Sequence, residues 1–172
     1  MTSQLKVLIT QDEIRQTITR IATEIRRDYQ DKQPVLISIL KGSFIFLADL
    51  IRQLRMPVQV EFIRVSSYGS QTKSTGLVTI MHGLKTPIKG RDVIIVEDII
   101  DTGLTISTVV DYMKRKKPAS IKICALTDKP SRREVPVTVD YVGFTIPDKF
   151  VVGYGLDWNE QYRYLDDICV LE

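Results

Sequence analysis

Two short runs of apolar residues organise the hydrophobic pattern of this sequence, and each is followed by polar residues and then by a helical pattern. The runs comprise residues 35–40 and residues 93–96. Both are rich in β-branched residues, which is typical of strands buried on both faces of a parallel sheet. Apolar residues then recur at helical spacing, at Phe44, Leu47, Ala48, Ile51 and Leu54 after the first run and at Val109, Val110 and Met113 after the second. The pattern predicts two strand–turn–helix units.

The rest of the chain extends this alternation. Thr10 and Glu13 have the spacing of a capping box, and the helix that they open is predicted to end near Tyr29. One face of this helix carries Ile14, Ile18, Ile21 and Ile25. Further strands are predicted at residues 58–65, 77–81, 120–127 and 139–146. Strands that alternate with helices predict an α/β fold, with a mainly parallel twisted sheet flanked by helices.

Composition narrows the class of protein. A length of 172 residues suits one domain, and 44% hydrophobic with 26% charged residues is ordinary for a soluble globular protein. The net charge of +3 is too small to predict nucleic-acid binding. Cys124 and Cys169 lie in apolar runs without paired spacing, so we expect free thiols in a reducing compartment, the cytoplasm. No apolar run has the length of a membrane span, and no membrane association is expected.

Three carboxylates follow the second apolar run. Glu97 and Asp98 are adjacent, and Asp101 comes three residues later. Ligands of open α/β sheets bind beyond the carboxyl ends of the strands, where these side chains are expected. Adjacent carboxylates can accept hydrogen bonds from vicinal sugar hydroxyls, or bind magnesium through water.

The next residues, Thr102, Gly103 and Thr105, precede the second predicted helix. Main-chain N–H groups at a helix N-terminus suit a phosphate group, and the hydroxyls add donors. The loop lacks the glycine and lysine pattern of a P-loop, so one phosphate beside a ribose fits better than a triphosphate. The alternative is a capped helix start with a solvated acidic turn.

Residues 96–105 read Val-Glu-Asp-Ile-Ile-Asp-Thr-Gly-Leu-Thr and closely resemble the phosphoribosyl-pyrophosphate (PRPP) signature of type I phosphoribosyltransferases. The Glu-Asp-Ile-Ile-Asp form is similar to the 6-oxopurine branch, the hypoxanthine-guanine phosphoribosyltransferases. Residues 40–43, 66–69 and 146–163 also resemble that branch, and the resemblance runs from about residue 35 to the end. It implies the type I phosphoribosyltransferase fold in one domain of residues 1–172. We expect a core of about residues 34–146 and a small hood from the N-terminal segment and about residues 147–172.

The resemblance implies a purine salvage enzyme that transfers 5-phosphoribosyl from PRPP to N9 of hypoxanthine or guanine, giving IMP or GMP and pyrophosphate. The ribose and phosphate of PRPP would be bound by Glu97, Asp98, Asp101, Thr102, Gly103, Leu104 and Thr105. Leu104 stands where some relatives carry lysine, so main-chain N–H groups are expected to bind the phosphate. Asp101 would be the catalytic general base at purine N7, and the alternative for Asp101 is a helix cap only.

The remaining roles also follow from the resemblance. Pyrophosphate would be bound by Lys41, Gly42 and Arg163, and the purine by Lys129 at its 6-oxo group, Phe150 by stacking, Val151 through its main chain, and Asp157. The implied cofactor is Mg²⁺, with Asp157, Glu97 and Asp98 as candidate ligands. Ser67 and Tyr68 would begin a lid formed by the polar residues 69–76, which excludes water from an activated sugar diphosphate.

Two other functions stay open. A xanthine-preferring phosphoribosyltransferase would use the same residues, because Lys129 accepts any 6-oxopurine and the purine 2-position decides. A non-catalytic regulator that binds PRPP belongs to another class, and it predicts tight PRPP binding without turnover. The resemblance also implies a homodimer or homotetramer, without a choice between them.

Overall fold

The computed structural model describes residues 4–68 and 77–172, with only the backbone given for Ser67, Tyr68 and Leu77. The strands are β1 (Leu5–Ile9), β2 (Val35–Leu40), β3 (Gln59–Tyr68), β4 (Leu77–His82), β5 (Asp92–Ile100), β6 (Ser120–Asp128), β7 (Tyr141–Thr145), β8 (Val151–Val152) and β9 (Ile168–Leu171). The helices are α1 (Gln11–Asp28), α2 (Phe44–Leu54) and α3 (Leu104–Lys114). A 3-10 turn, Pro130–Arg132, follows β6.

The central sheet has six strands in the order β4-β3-β2-β5-β6-β7. All neighbours are parallel except β4, which pairs antiparallel with β3. Val35 of β2 lies opposite Gln59 on one side and opposite Val93 on the other. The carboxyl ends of β2, β5 and β6 therefore meet at one edge, and the predicted mainly parallel α/β sheet is confirmed.

Successive residues of the central strands pack on opposite faces of the sheet. Leu36 and Ile94 belong to a cluster with the buried residues of α1 and α2. Ile37 and Ile95 belong to a second cluster with Ile106 and other residues of α3. Both faces are covered, which explains why the strands read as uninterrupted apolar runs. Each fully buried side chain of this kind contributes about 1.5–3 kcal/mol.

Helix α1 begins as its sequence predicts. The Thr10 hydroxyl accepts a hydrogen bond from the Glu13 N–H at 3.3 Å, and the Glu13 carboxylate accepts one from the Thr10 N–H at 2.8 Å. The isoleucine face is buried at Ile14, Ile18, Ile21 and Ile25. The helix ends at Asp28, with Tyr29 as its C-cap, close to the predicted end.

A second sheet of three strands, in the order β1-β9-β8, joins the two ends of the described chain. We call these strands the hood sheet. Leu5 of β1 lies opposite Leu171 of β9, and Val151 of β8 lies opposite Val170. β1 was not predicted from the sequence, in which the first predicted strand comprised residues 35–40. The reason is that Leu5 and Val7 are exposed, so β1 lacks the buried apolar run by which β2 and β5 were found.

Cys124 and Cys169 are buried and free, as predicted. Burial raises the pKa of the Cys124 thiol far above its usual range. Within residues 4–68 and 77–172, no helix combines the length and the apolar character that crossing a membrane requires.

Candidate active site

Strand β5 carries two acidic residues inside the sheet. The sequence analysis placed Glu97 and Asp98 after the strand, but β5 runs on to Ile100 because β6 continues to pair with it, with Glu97 opposite Ala125. Both side chains are buried, with 7% and 8% exposed. The Asp98 N–H donates to Glu97 Oε1 at 3.1 Å. Burial, followed by the neighbouring charge of Asp98, raises the pKa of Glu97 well above its usual range. The alternative of a solvated acidic turn is therefore wrong.

The loop after β5 leads into α3. Gly103 is the N-cap residue with φ of +86°, and the Asp101 carboxylate accepts from Arg132 rather than from a helix N–H, so Asp101 is not the helix cap. A Cβ at Gly103 would lie 2.9 Å from Val137 Cγ2, so the close approach also requires glycine. The Leu104 N–H donates to Thr102 Oγ1 at 3.3 Å. Free N–H groups at the start of α3 remain available for an anion.

A cavity of about 300 Å³, which we call the loop cavity, lies at this loop. Its walls include Lys41, Gly42, Glu97, Asp98, Asp101, Thr102, Gly103 and Thr105. Of the residues predicted to bind the ribose and phosphate, Leu104 alone is outside this lining, and its side chain is half-buried.

The turn after β2 contacts the acidic end of β5. The Leu40–Lys41 peptide bond is cis. A Cβ at Gly42 would lie 1.8 Å from Asp98 Oδ2, so only glycine permits this approach. The turn thereby places the main chain of Gly42 beside the Asp98 carboxylate.

A second cavity of about 670 Å³, the hood cavity, adjoins the first between the central sheet and the hood sheet. Its walls include Lys41, Gly42, Asp98, Asp101, Lys129, Phe150, Val151, Asp157 and Arg163. The structure therefore brings together the residues that were assigned to pyrophosphate and base, with Asp98 and Asp157 of the three magnesium candidates, whereas Glu97 lines the loop cavity alone. Lys41, Gly42, Asp98 and Asp101 line both cavities.

Lys129 and Phe150 have the character of a site for a flat polar ring. Lys129 is only 5% exposed, and its ammonium has no ion-pair partner among the described residues. The Phe150 ring is 46% exposed and is supported by an edge-to-face contact with Trp158, with 5.0 Å between ring centroids. The Lys129 ammonium can donate to an acceptor of a ligand in the cavity, and an exposed ring held by another ring offers a stacking surface.

Asp101 is held by an arginine that the sequence analysis missed. Arg132 Nε donates to Asp101 Oδ1 at 3.0 Å and lies 3.8 Å from Asp148 Oδ1. The Asp101 hydrogen bond raises the pKa of Arg132. The neighbouring Arg133 donates to the main-chain oxygen of Asp101 at 2.7 Å. Both arginines follow Lys129 closely in the chain, and this proximity is the one feature of the sequence that could have indicated them.

Arg163 and Lys41 both line the hood cavity, and both pair with Glu160. Arg163 lies 2.8 Å from Asp157 Oδ1, and its Nη1 donates to the Gly155 carbonyl at 2.6 Å. Its Nε is buried and has no hydrogen-bond partner in the described part of the chain. Lys41 Nζ donates to Glu160 Oε1 at 2.8 Å. Glu160, which also lines the hood cavity, is another residue that the sequence analysis missed.

The predicted lid was expected to begin at Ser67 and Tyr68. Ser67 and Tyr68 end β3, opposite Val78 and Leu77 of β4. Residues 69–76, which were predicted to form the lid, lie outside the described residues. No group of three or more potential ligand side chains for a metal occurs among the residues that are described.

Comparison with known proteins agrees with this geometry. The phosphoribosyl transferase domain family matches residues 8–159. The chain is 47% identical to the hypoxanthine-guanine phosphoribosyltransferase of Bacillus subtilis, over 97% of this chain and 93% of that one. It is 48% identical to the hypoxanthine phosphoribosyltransferase of Haemophilus influenzae, over 92% and 90%. A crystal structure of a Bacillus anthracis hypoxanthine-guanine phosphoribosyltransferase superimposes with a TM-score of 0.93 at 45% identity, covering 98% of this chain and 100% of that one. The chain therefore belongs to the phosphoribosyltransferase family, in its hypoxanthine-guanine branch.

Proposed function

We propose that this enzyme transfers the 5-phosphoribosyl group of PRPP to N9 of hypoxanthine or guanine. The bond between the anomeric carbon and the pyrophosphate oxygen breaks, and a bond from that carbon to N9 forms. The products are IMP or GMP and pyrophosphate, so the reaction serves purine salvage. The observation that carries this proposal is that Lys129 and the exposed ring of Phe150 line one cavity, which adjoins the loop after β5.

PRPP would span the two cavities. Its 5′-phosphate would bind the N–H groups and hydroxyls of Thr102, Gly103 and Thr105 in the loop cavity. Its ribose hydroxyls would face Glu97 and Asp98. The raised pKa of Glu97 favours its neutral acid form, which can donate a hydrogen bond as well as accept one. These contacts lie away from the bond that breaks, so they convert binding energy into orientation of the anomeric carbon.

Catalysis requires stabilisation of charge at two places. The departing pyrophosphate becomes more negative, and the cations of Lys41 and Arg163 lie where they can neutralise it. The purine loses the proton of N7 as N9 attacks, and Asp101 is the proposed acceptor of that proton. The Arg132 hydrogen bond fixes the orientation of the Asp101 carboxylate. Lys129 would donate to the 6-oxo group and thereby select 6-oxopurines over adenine, which presents a donor at that position.

Magnesium is the proposed cofactor. Mg²⁺ is usually held by one or two carboxylates together with substrate phosphates and water, so a cage of protein ligands is not needed. Asp157 and Asp98 supply carboxylate oxygens to the hood cavity, which fits this requirement. Glu97 is a less suitable direct ligand because burial favours its neutral form. Bound to the pyrophosphate group, the ion would add positive charge to the leaving group.

The first test is an assay of turnover with PRPP, Mg²⁺ and each of hypoxanthine, guanine, xanthine and adenine. We expect turnover with hypoxanthine and guanine, and loss of turnover when the metal is chelated. A preference for xanthine would retain the mechanism and change the substrate. Tight PRPP binding without turnover of any base would contradict the proposal and favour a regulator.

We also propose that the enzyme forms a homodimer or homotetramer. Phe44 and Phe62 are 44% and 45% exposed, and they line a mostly apolar depression beside Lys41. Exposed apolar patches of this kind mark interaction surfaces. In a Trypanosoma cruzi hypoxanthine phosphoribosyltransferase of known structure, 44% identical to this chain, the C-terminal region has a role in the oligomeric state and the enzymatic activity. Sedimentation analysis would test the assembly, and a monomer at assay concentration would contradict it.

The free buried cysteines support a cytoplasmic location.

A further inference from the structure

We infer that Glu160 competes with pyrophosphate for Lys41 and Arg163, as an internal anion that occupies the pyrophosphate subsite until a phosphate ligand displaces it. This inference rests on the proposed function, because it requires that Lys41 and Arg163 bind pyrophosphate. It assigns a role to a residue that the catalytic scheme does not otherwise use.

The carboxylate of Glu160 bridges both cations. Its Oε1 lies 2.8 Å from Lys41 Nζ, and its Oε2 lies 3.5 Å from Arg163 Nη2. Lys41 belongs to the turn after β2, whereas Arg163 belongs to the segment between β8 and β9. One carboxylate thus makes the paired contacts that a pyrophosphate oxygen pair would make between the two walls of the hood cavity.

The charge of Glu160 suits this role. Glutamate has an ordinary pKa of about 4.3, so the side chain of Glu160 is an anion at neutral pH. The Glu160 side chain is 65% exposed, and the contacts are therefore weak enough for a more highly charged ligand to displace it. Asp157, by contrast, is bound at both oxygens, to Arg163 at 2.8 Å and to the Glu160 N–H at 2.8 Å.

The backbone conformation at Glu160 is one that glutamate rarely adopts, which independently indicates a role for its side chain. Trp158 and Gln161 exchange two main-chain hydrogen bonds, of 3.2 Å and 3.0 Å, and enclose Asn159 and Glu160 in a tight turn. Both enclosed residues have positive φ, +51° and +63°. Turns of this type favour asparagine followed by glycine, since glycine tolerates positive φ. A glutamate occupies the position that favours glycine, and its carboxylate points to the cations of the site.

The test is the affinity of the full-length protein for inorganic pyrophosphate, measured by calorimetry at one fixed Mg²⁺ concentration. Glu160→Gln removes the competing charge with little change in shape. We expect it to bind pyrophosphate roughly three- to tenfold more tightly, in line with the loss of two partly exposed ion pairs. Product inhibition by pyrophosphate against PRPP should strengthen by a similar factor, while the KM for hypoxanthine stays unchanged.

Two variants make the outcome decisive. Glu160→Gly also removes the charge and suits the turn, so it gives the same readout if the glutamine variant is unstable. Glu24→Gln is the matched control, because Glu24 pairs with Arg20 at 2.9 Å on α1, outside both cavities. Pyrophosphate affinity in Glu160→Gln that is equal to or weaker than wild type overturns the competition alone. A wild type that does not bind pyrophosphate overturns the pyrophosphate subsite, and the competition with it.

Discussion

The guanidinium of Arg133 pairs with the carboxylate of Asp128, the residue before Lys129. The same guanidinium donates to the main-chain oxygen of Asp101 at 2.7 Å. Arg133 thus ties the loop that would bind the phosphate to the end of β6, from which Lys129 would reach the purine. The pair is largely buried, with 15% and 10% of the side chains exposed.

Replacing Arg133 by methionine should impair both halves of the site. Asp128 would lose its partner while buried, which costs about 3 kcal/mol of unfolding free energy. The loop that contains Asp101 would lose its anchor, and kcat/KM should fall by about 100-fold because displacements near 1 Å have that effect. Steady-state kinetics and urea unfolding would measure the two effects.

A double variant separates the buried charge from the lost anchor. Asp128→Asn in the Arg133→Met background should recover part of the stability, because no unpaired carboxylate remains, but little of the activity. Arg115→Met, at an exposed arginine after α3, is the control and should change neither. Unaltered kcat/KM in Arg133→Met would refute the anchoring role.

Asp101→Asn tests the proposed general base. The variant keeps the size of the side chain but cannot take a proton, so kcat should fall by about 10²–10⁴-fold. PRPP binding, measured by calorimetry, should be nearly unchanged. Stability should also change little, because the Asp101–Arg132 pair is exposed at 40% and 46%. A kcat close to that of wild type would show that Asp101 is not the base.

Gly42→Ala tests the contact between the turn after β2 and the acidic end of β5. The new Cβ would overlap Asp98 Oδ2, which must move away from the ribose position. We expect kcat/KM to fall by about 100-fold or more. Gly90→Ala is the control, since Gly90 has φ of +71° but open space around its Cβ position. It should cost about 1–2 kcal/mol of stability without loss of activity. Full activity in Gly42→Ala would contradict the contact.

The free energy of unfolding of the Tyr141→Phe variant should depend less on pH in the acid range than that of wild type. The Tyr141 hydroxyl donates to Asp28 Oδ2 at 2.7 Å, and this bond is the main cause that lowers the pKa of Asp28. A folded-state pKa below the unfolded value means that ionised Asp28 stabilises the fold at neutral pH, and that this stabilisation is lost as pH falls through the folded-state pKa. The variant should lose about 1–2 kcal/mol at pH 7, because it lacks a hydrogen bond to a charged group.

The pH profile distinguishes this effect from simple loss of packing. The difference between wild type and Tyr141→Phe should shrink below about pH 4, where Asp28 becomes protonated in the unfolded chain. Tyr164→Phe is the control because Tyr164 is 79% exposed, and it should change stability little at any pH. A constant difference from pH 3 to pH 7 would exclude the Asp28 contribution.

The sequence predicted the central sheet well because burial on both faces leaves a direct trace. Leu36 and Ile37 pack on opposite faces, so both positions must be apolar, and the run is visible without any tertiary information. It predicted the end of β5 less well. Glu97 stays in the strand because Ala125 pairs with it, and a pairing partner cannot be read from local polarity.

The residues of the site that were missed depend on contacts between distant parts of the chain. Arg132 and Arg133 form an exposed-looking basic pair in the sequence, and only the fold brings them to Asp101. The contact of Glu160 with the site could not be predicted from the sequence, because glutamate is unexpected in a turn whose residues have positive φ. The roles of Lys129 and Phe150 came from the resemblance, and their burial and exposure were not predictable from local pattern.

The hood sheet has a consequence for how the protein is made. β8 carries Val151 and is paired with β9, which in turn is paired with β1 near the other end of the chain. The central sheet closes within residues 35–145, so it can form while the C-terminal segment is still in the ribosome. The hood sheet, which carries Val151 of the proposed base site, is completed only after β9 emerges and meets β1. During synthesis, the loop after β5 and Lys129 are therefore assembled before the wall that carries Val151 and Arg163.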